Sequence, residues 1–248
     1  AKWHELHSTH PLVAHRLRHL SDQAVHMGQV PSFVFDEVKP ESYWDEFFVD
    51  FATHLLPIAA SLLTLLGFGA AYLLGAFGKI DIYLAFGLVL LGGALLIRFG
   101  FAYRADYFPS MSVAARLKKV KVSAVRPVPC TLQGTVIGRG VPGYIASEDF
   151  VMQDDTGIMF LDYRQPLAIW ELLFGLLKAG AYQGKEVMVE GWYRRSPIPF
   201  VEISAIECEG EVRKSWVPFM NQLSGFALIA MGLLWGGAIF FVPELLPY

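Results

Sequence analysis

Three stretches of this chain are apolar almost without interruption, and between the second and third the pattern changes to short alternating runs. The first, Phe51–Phe77, is broken only by Thr53, His54, Ser61 and Thr64. The second, Ile82–Ile97, extends past Arg98 through Phe99–Tyr103, and the third, Val217–Val242, ends at Pro243. A bilayer core needs about 20 mostly apolar residues per helix, so three transmembrane helices are expected. Only Gly78–Asp81 separates the first two, which predicts a tight antiparallel hairpin. Gly67, Gly69, Gly92, Gly93, Gly232 and Gly236 give these helices small-residue faces, expected to serve close helix packing rather than dimerisation.

From Thr131 the pattern is that of strands punctuated by turns. Strands are expected at Thr131–Ile137, Phe150–Gln153, Ile158–Tyr163, Glu186–Tyr193 and Phe200–Glu207, with a helix over Pro166–Ala179. Asp154-Asp155-Thr156-Gly157 reads as a hairpin turn, because Asp and Gly tolerate the backbone angles it needs. Three strands, a helix and two strands is the order of a five-stranded Greek-key barrel, and roughly Leu117 to Glu209 resembles an OB-fold. The fold class expected is a membrane protein of α+β type, with three transmembrane helices and a small five-stranded OB-like β-barrel. Trp170, Leu172, Leu173, Phe174, Leu176 and Leu177 make the intervening helix apolar nearly all round, so it is expected against the bilayer or the hairpin.

Composition agrees with lipid: 54% of the 248 residues are hydrophobic and 17% charged, against about 25% charged in soluble domains. Basic residues give the orientation. Arg98, Arg104, Arg116, Lys118, Lys119 and Lys121 follow the second span, opposed only by Asp106, and Arg213 and Lys214 precede the third. The N-terminal segment and β domain are therefore expected in the cytoplasm, integral to the cell membrane, with the C-terminus on the opposite side.

An OB-like fold raises nucleic-acid binding. Phe150, Phe160, Tyr163, Trp192 and Tyr193 could stack bases while Arg164, Arg194 and Arg195 track phosphates. Alternating aromatics along strands are more often core, and arginines near strand ends more often solvated. Glu148, Asp149, Asp154, Asp155, Glu186, Glu190, Glu202, Glu207 and Glu209, with a net charge of −3, also repel a polyanion. No nucleic-acid partner is expected. Cys130 and Cys208 lack CxxC or Cys/His spacing and read as buried thiols at strand ends.

The N-terminal segment carries His4-Glu5-Leu6-His7-Ser8, which is not a zincin helix, since the i+4 position holds Ser8 instead of His. His4, His7 and His10 recur every third residue, but Pro11 interrupts any continuous helix, and no thiolate or carboxylate lies at ligand spacing. No metal is expected in this chain. A helix is expected next, with Ser8 or Thr9 as N-cap, Pro11 in its first turn and Gly28 beyond its end. Val13, Leu17, Leu20, Ala24 and Met27 form its expected buried stripe, and His15, His19, Asp22 and His26 its solvated one.

Ser8-Thr9-His10-Pro11 followed by Arg16-Leu17 resembles the C-terminal STHP…R signature of membrane zinc metallopeptidases of the HtpX and CAAX prenyl protease type. In that family an HExxH helix supplies two His ligands and a Glu general base, and a later helix supplies a third ligand. The resemblance spans about Trp3 to Ala24 and implies that His10 and Arg16 act near the reacting centre. This chain has no HExxH and no third glutamate upstream of His10. With Ala1 as its first residue, it is expected to be the C-terminal part of such a peptidase, inactive alone, with zinc held by the part before Ala1. The domain plan expected is a peptidase-like helix over 1–30, a linker over 31–50 and a transmembrane hairpin over 51–103. The cytoplasmic β domain follows over 104–216, then the third span over 217–242 and a tail over 243–248. Expected partners are the lipid bilayer and an upstream peptidase domain or other membrane proteins. A non-enzymatic membrane scaffold and a membrane-tethered nucleic-acid module are the alternatives.

Overall fold

The computed structural model describes residues 13–30, 44–76, 80–119, 121–140, 148–195 and 198–241. The chain divides into two compact units, Ala1–Ser42 and Tyr43–Tyr248.

In the first unit the described structure is one helix, α1 (Val13–His26), ended by Gly28 at a φ of +71°. Glycine there takes the left-handed conformation that closes a helix C-terminus, and Gln29 N donates back to Ala24 O. His19, Asp22 and His26 are exposed, as their stripe requires. Of the expected buried stripe, Leu20 and Met27 are corrected, being 61% and 67% exposed, Ala24 is half-buried, and the side chains of Val13 and Leu17 lie outside the described ones.

The second unit begins with α2 (Trp44–Leu73) and α3 (Ile80–Ala102), and ends with α6 (Val217–Phe241); all three are long and apolar enough to cross a membrane. Helix α2 starts seven residues before the expected apolar run. At 1.5 Å per residue its 30 residues reach about 45 Å, longer than the roughly 30 Å of a hydrocarbon core. The surplus first turns carry Asp45, Glu46 and Asp50. Within the apolar part, Thr53, Ser61 and Thr64 each donate a hydroxyl hydrogen bond to the carbonyl four residues back, at 2.7, 2.9 and 2.8 Å. These three hydroxyls are thus satisfied inside the helix, as an apolar surrounding demands.

Helix α3 is central, packed against both α2 and α6. A Cβ on Gly92 would lie 2.7 Å from Gly225 O, and one on Gly232 would lie 2.6 Å from Ala85 O. The two backbones therefore touch at points seven residues apart on each helix, the spacing of an antiparallel seam between closely aligned axes. Gly236 is in ordinary contact with Ala85, and Gly69 and Gly93 face open space. We expect Gly92→Ala to lower stability in detergent by about 1–3 kcal/mol, since a backbone carbonyl cannot swing aside as a side chain can. Gly93→Ala, one residue on, should be neutral or slightly stabilising in the same thermal melt, because alanine favours helix.

Between α3 and α6 lies the sheet. A short helix, α4 (Val113–Leu117), precedes β1 (Val128–Arg139), β2 (Phe150–Asp154) and β3 (Gly157–Asp162). Then come α5 (Ala168–Leu177), a single 3₁₀ turn at Ala179–Tyr182, β4 (Glu186–Arg195), β5 (Pro199–Cys208) and β6 (Glu211–Lys214). The order across the sheet is β3-β2-β1-β4-β5-β6, and β3 also pairs in parallel with β5 through Phe160–Phe200, Leu161–Val201 and Asp162–Glu202. The five expected strands and the helix among them are present within a few residues. The sixth strand, β6, is a correction to the five-stranded expectation. It returns through Glu209 and Gly210, both left-handed at φ 53° and 84°, which is the conformation of a two-residue hairpin turn.

Leu132, Val136, Phe150, Met152, Leu161, Val189, Tyr193 and Ile203 fill the sheet interior with at most 1% exposure, closed on one side by Phe174 of α5. Cys130 and Cys208 are buried free thiols on β1 and β5, as expected. The β2–β3 turn forms where Asp154 was expected to open it, but by a different device. Its Oδ1 accepts from Thr156 N, Thr156 Oγ1 and Gly157 N, and its Oδ2 accepts from Val113 N at the start of α4. Gly157 keeps a negative φ; its small size serves Val113, whose Cγ1 would stand 3.2 Å from an added Cβ.

Candidate functional site

Strand β4 alternates exposed and buried residues until Gly191, after which Gly191, Trp192, Tyr193 and Arg194 are all buried. Alternation fails where both faces are covered. Tyr193 points into the sheet core, while Trp192 and Arg194, on the other face, meet the end of α3. Arg194 Nη2 donates to Ala102 O at 2.9 Å, and Nη1 donates to Ala124 O. Its Nε donates to Glu202 Oε2 at 2.7 Å, in an ion pair whose side chains are 6% and 4% exposed. Tyr103, one residue beyond α3, donates its hydroxyl to Glu202 Oε1 at 2.9 Å and stacks edge-on to Trp192 at 5.1 Å between centroids. Trp192 Nε1 donates to Arg104 O at 3.3 Å.

The chemistry of this cluster is docking. The last carbonyls of a helix have no internal donor and carry the negative end of its dipole. A guanidinium at Ala102 O answers both, and Glu202 neutralises its charge in a place solvent barely reaches. Two further ties lie on α2. Asp50 accepts from Arg126 Nε and Nη2 at 2.6 and 3.3 Å, and Glu46 pairs with Lys121 at 3.4 Å. The sheet is thus fastened to the end of α3 by Arg194 and Glu202, the segment leading into β1 is fastened to the start of α2 by Lys121 and Arg126, and β6 leads into α6.

This arrangement corrects two expectations. Arg194 is buried and paired, where an arginine near a strand end was expected in solvent. Arg116, counted above among basic residues flanking the second span, is 1% exposed, with Nη2 donating to Pro129 O and Nε unpartnered. Of the aromatics weighed as base-stacking groups, Phe150, Tyr163, Trp192 and Tyr193 are buried and Phe160 is 39% exposed. Arg164 pairs with Asp162 at 2.8 Å. What could have revealed the cluster is Glu202 itself, a single acid inside the otherwise apolar run Phe200–Ile203 on a buried strand.

A second set of acids lies at the end of β3. Asp149 accepts from Tyr163 N at 3.2 Å. Burial, and then the charges of Asp162 and Glu148, push its carboxyl up to about 7, and burial raises Asp162 as well. An acid near 4 when unfolded and near 7 when folded binds more protons in the folded state between those values. Stability contributed by protonated Asp149 is therefore complete below about pH 4 and lost as pH rises through about 7. Asp149→Asn keeps the acceptor without the charge. It should raise the melting temperature at pH 8, by an amount worth about 1–2 kcal/mol after solvent screening, and change little at pH 4. A larger gain at pH 4 than at pH 8 would contradict this.

His10 lies outside the described residues, and Arg16 sits within α1 in the first unit, its side chain likewise outside them. Among the described residues no group of three or more His, Cys, Asp or Glu could hold a metal ion. The described part therefore does not fit a zinc site, and no step of zinc chemistry derives from it. The chain matches no known protein-family model and no curated protein at a significant level.

Proposed function

We propose that this chain is the membrane-anchored C-terminal region of a zinc metallopeptidase, in which three transmembrane helices and an OB-like barrel hold the protease at the cytoplasmic face near membrane or membrane-proximal substrates. The positioning half of this reading rests on the buried Arg194–Glu202–Tyr103 cluster, which makes the sheet and the helix ends one fastened body. The OB-like reading is supported by the circuit of pairings β1–β2–β3–β5–β4–β1 with α5 between β3 and β4. Orientation is supported by Arg104, Lys118, Lys119, Lys121, Arg213 and Lys214, all between α3 and α6 in the chain, with Arg98 toward the end of α3, even with Arg116 removed from the count.

The peptidase half rests on the Ser8–Pro11 and Arg16 pattern, and the exposed Leu20, Val25 and Met27 of α1 fit a helix that docks on a neighbouring domain. The zinc would be bound by residues outside this chain and would polarise the scissile carbonyl while activating water.

Elemental analysis of the full-length protein, purified from membranes and dialysed, tests the reading. One zinc per chain, together with chelator-sensitive hydrolysis of an unfolded protein substrate, is expected. Full-length protein with neither would leave a membrane scaffold as the function.

A further inference from the structure

Helix α5 is too short to cross a bilayer, at 10 residues or about 15 Å, yet most of its surface is apolar and uncovered. At 100° per residue, Leu172, Leu176, Ile169, Leu173, Leu177 and Trp170 follow one another around an exposed arc of about 160°. Phe174 and Gly175, on the opposite side, are buried against the sheet. Its one charged residue, Glu171, is turned away from the arc and accepts from Gln165 N at 2.9 Å.

What lies beside the arc is fixed by hydrogen bonds. Ser215 Oγ donates to Arg164 O at 2.7 Å, and Gln165 Nε2 donates to Lys214 O at 3.2 Å. These pin the start of α5 next to the start of α6. Between them runs an apolar groove of about 490 Å³ lined by Leu167, Trp170, Trp216, Val217, Phe219 and Met220. Trp170 belongs both to the groove and to the edge of the arc, while Phe219, Met220 and Leu223 continue the exposed surface down α6. The apolar side chains therefore run from the long helix onto α5, with Asn221 and Ser224 of α6 the polar groups that also line the groove. Tryptophans at the point where a long apolar helix begins are what a membrane interface selects.

We propose that α5 lies in the bilayer interface, its arc and the groove behind Trp170 filled by phospholipid acyl chains of the leaflet nearest the sheet, so that the β domain rests on the membrane by a second contact besides its tethers. The inference depends on α2, α3 and α6 spanning the bilayer. An in-plane helix of this kind buries its apolar face among acyl chains and keeps its ends at headgroup level, where Lys178 and Lys214, both exposed, flank the surface in sequence.

Spin labels at Leu173→Cys in α5, Leu62→Cys in α2 and Ile158→Cys on the β2–β3 hairpin would read this in the intact chain. Cys130 and Cys208 are replaced by alanine, and the protein is reconstituted in nanodiscs of phosphatidylcholine and phosphatidylglycerol. Collision with oxygen and with an aqueous nickel chelate gives each label's surroundings. The label at Leu173 should match Leu62, shielded from nickel and open to oxygen, while Ile158 stays open to nickel. A Leu173 label as nickel-accessible as Ile158, with Leu62 shielded, overturns the proposal and leaves the spans standing. A Leu173 label shielded from both reagents also overturns it, since protein then covers α5. Nickel access at Leu62 would instead remove the membrane reading on which both rest.

Discussion

Replacing Arg194 or Glu202 singly by leucine should cost about 3–5 kcal/mol, because either change leaves one uncompensated charge in a place solvent barely reaches. Arg194→Leu takes from Glu202 its ion-pair partner, leaving it the Tyr103 hydroxyl, and also frees the carbonyls of Ala102 and Ala124. Glu202→Leu strands the guanidinium. The double variant should lose less than the sum of the two singles, since no buried charge remains, and its shortfall from additivity measures the pair. It should not recover fully, because the last carbonyl of α3 and that of Ala124 still lack their donor. Glu46→Gln, at the exposed tie to Lys121, is the contrast: surface pairs contribute about 0–1 kcal/mol. Thermal or urea unfolding in detergent, followed by Trp fluorescence, ranks the variants. Equal losses at Arg194 and Glu46 would mean that the sheet is not fastened to the helix ends in the manner described.

The parts of the fold written in long, repeated patterns were legible. Three apolar runs became three helices, and five alternating runs became five strands, since burial imposes a period that the sequence must carry. Strand β6 had no such period. Glu211-Val212-Arg213-Lys214 is short and charged, and its turn, Glu209-Gly210, lacks the Asn-Gly or Asp-Gly that marks a two-residue hairpin. Pairing with the edge of β5, at Ala205–Lys214 and Cys208–Glu211, makes it a strand, and that is a tertiary fact. The Arg194–Glu202 cluster was missed for a related reason. Charged side chains near strand ends are ordinarily solvated, and only the arrival of Tyr103 from 91 residues earlier in the chain turns this pair into an interior one. On α1, Leu20 and Met27 of the expected stripe are exposed, because periodicity names a face without naming what covers it.

The second large effect concerns His10 and Arg16, which the resemblance to zinc metallopeptidases places near the reacting centre. If the chain completes such an enzyme, both should matter for the chemical step and little for folding. His10→Ala or Arg16→Ala in the full-length protein should slow peptide hydrolysis thirty- to a thousandfold, roughly, the consequence of losing about 2–4 kcal/mol of oxyanion stabilisation. Zinc content and melting temperature should stay close to the parent's. A residue serving only as a helix cap would show the reverse, a loss of about 1 kcal/mol in stability with catalysis intact. Arg16→Lys sharpens the contrast, because an ammonium keeps the charge but not the planar fork of donors, and it should recover only part of the rate.

The measurement that bears most directly on the proposed function is therefore the rate of peptide hydrolysis by full-length protein carrying His10→Ala or Arg16→Ala, at matched expression and with zinc confirmed in each sample. A large fall in rate with unchanged zinc and unchanged melting temperature is the expected result; hydrolysis equal to the parent's in both variants would leave the signature without catalytic meaning in this chain.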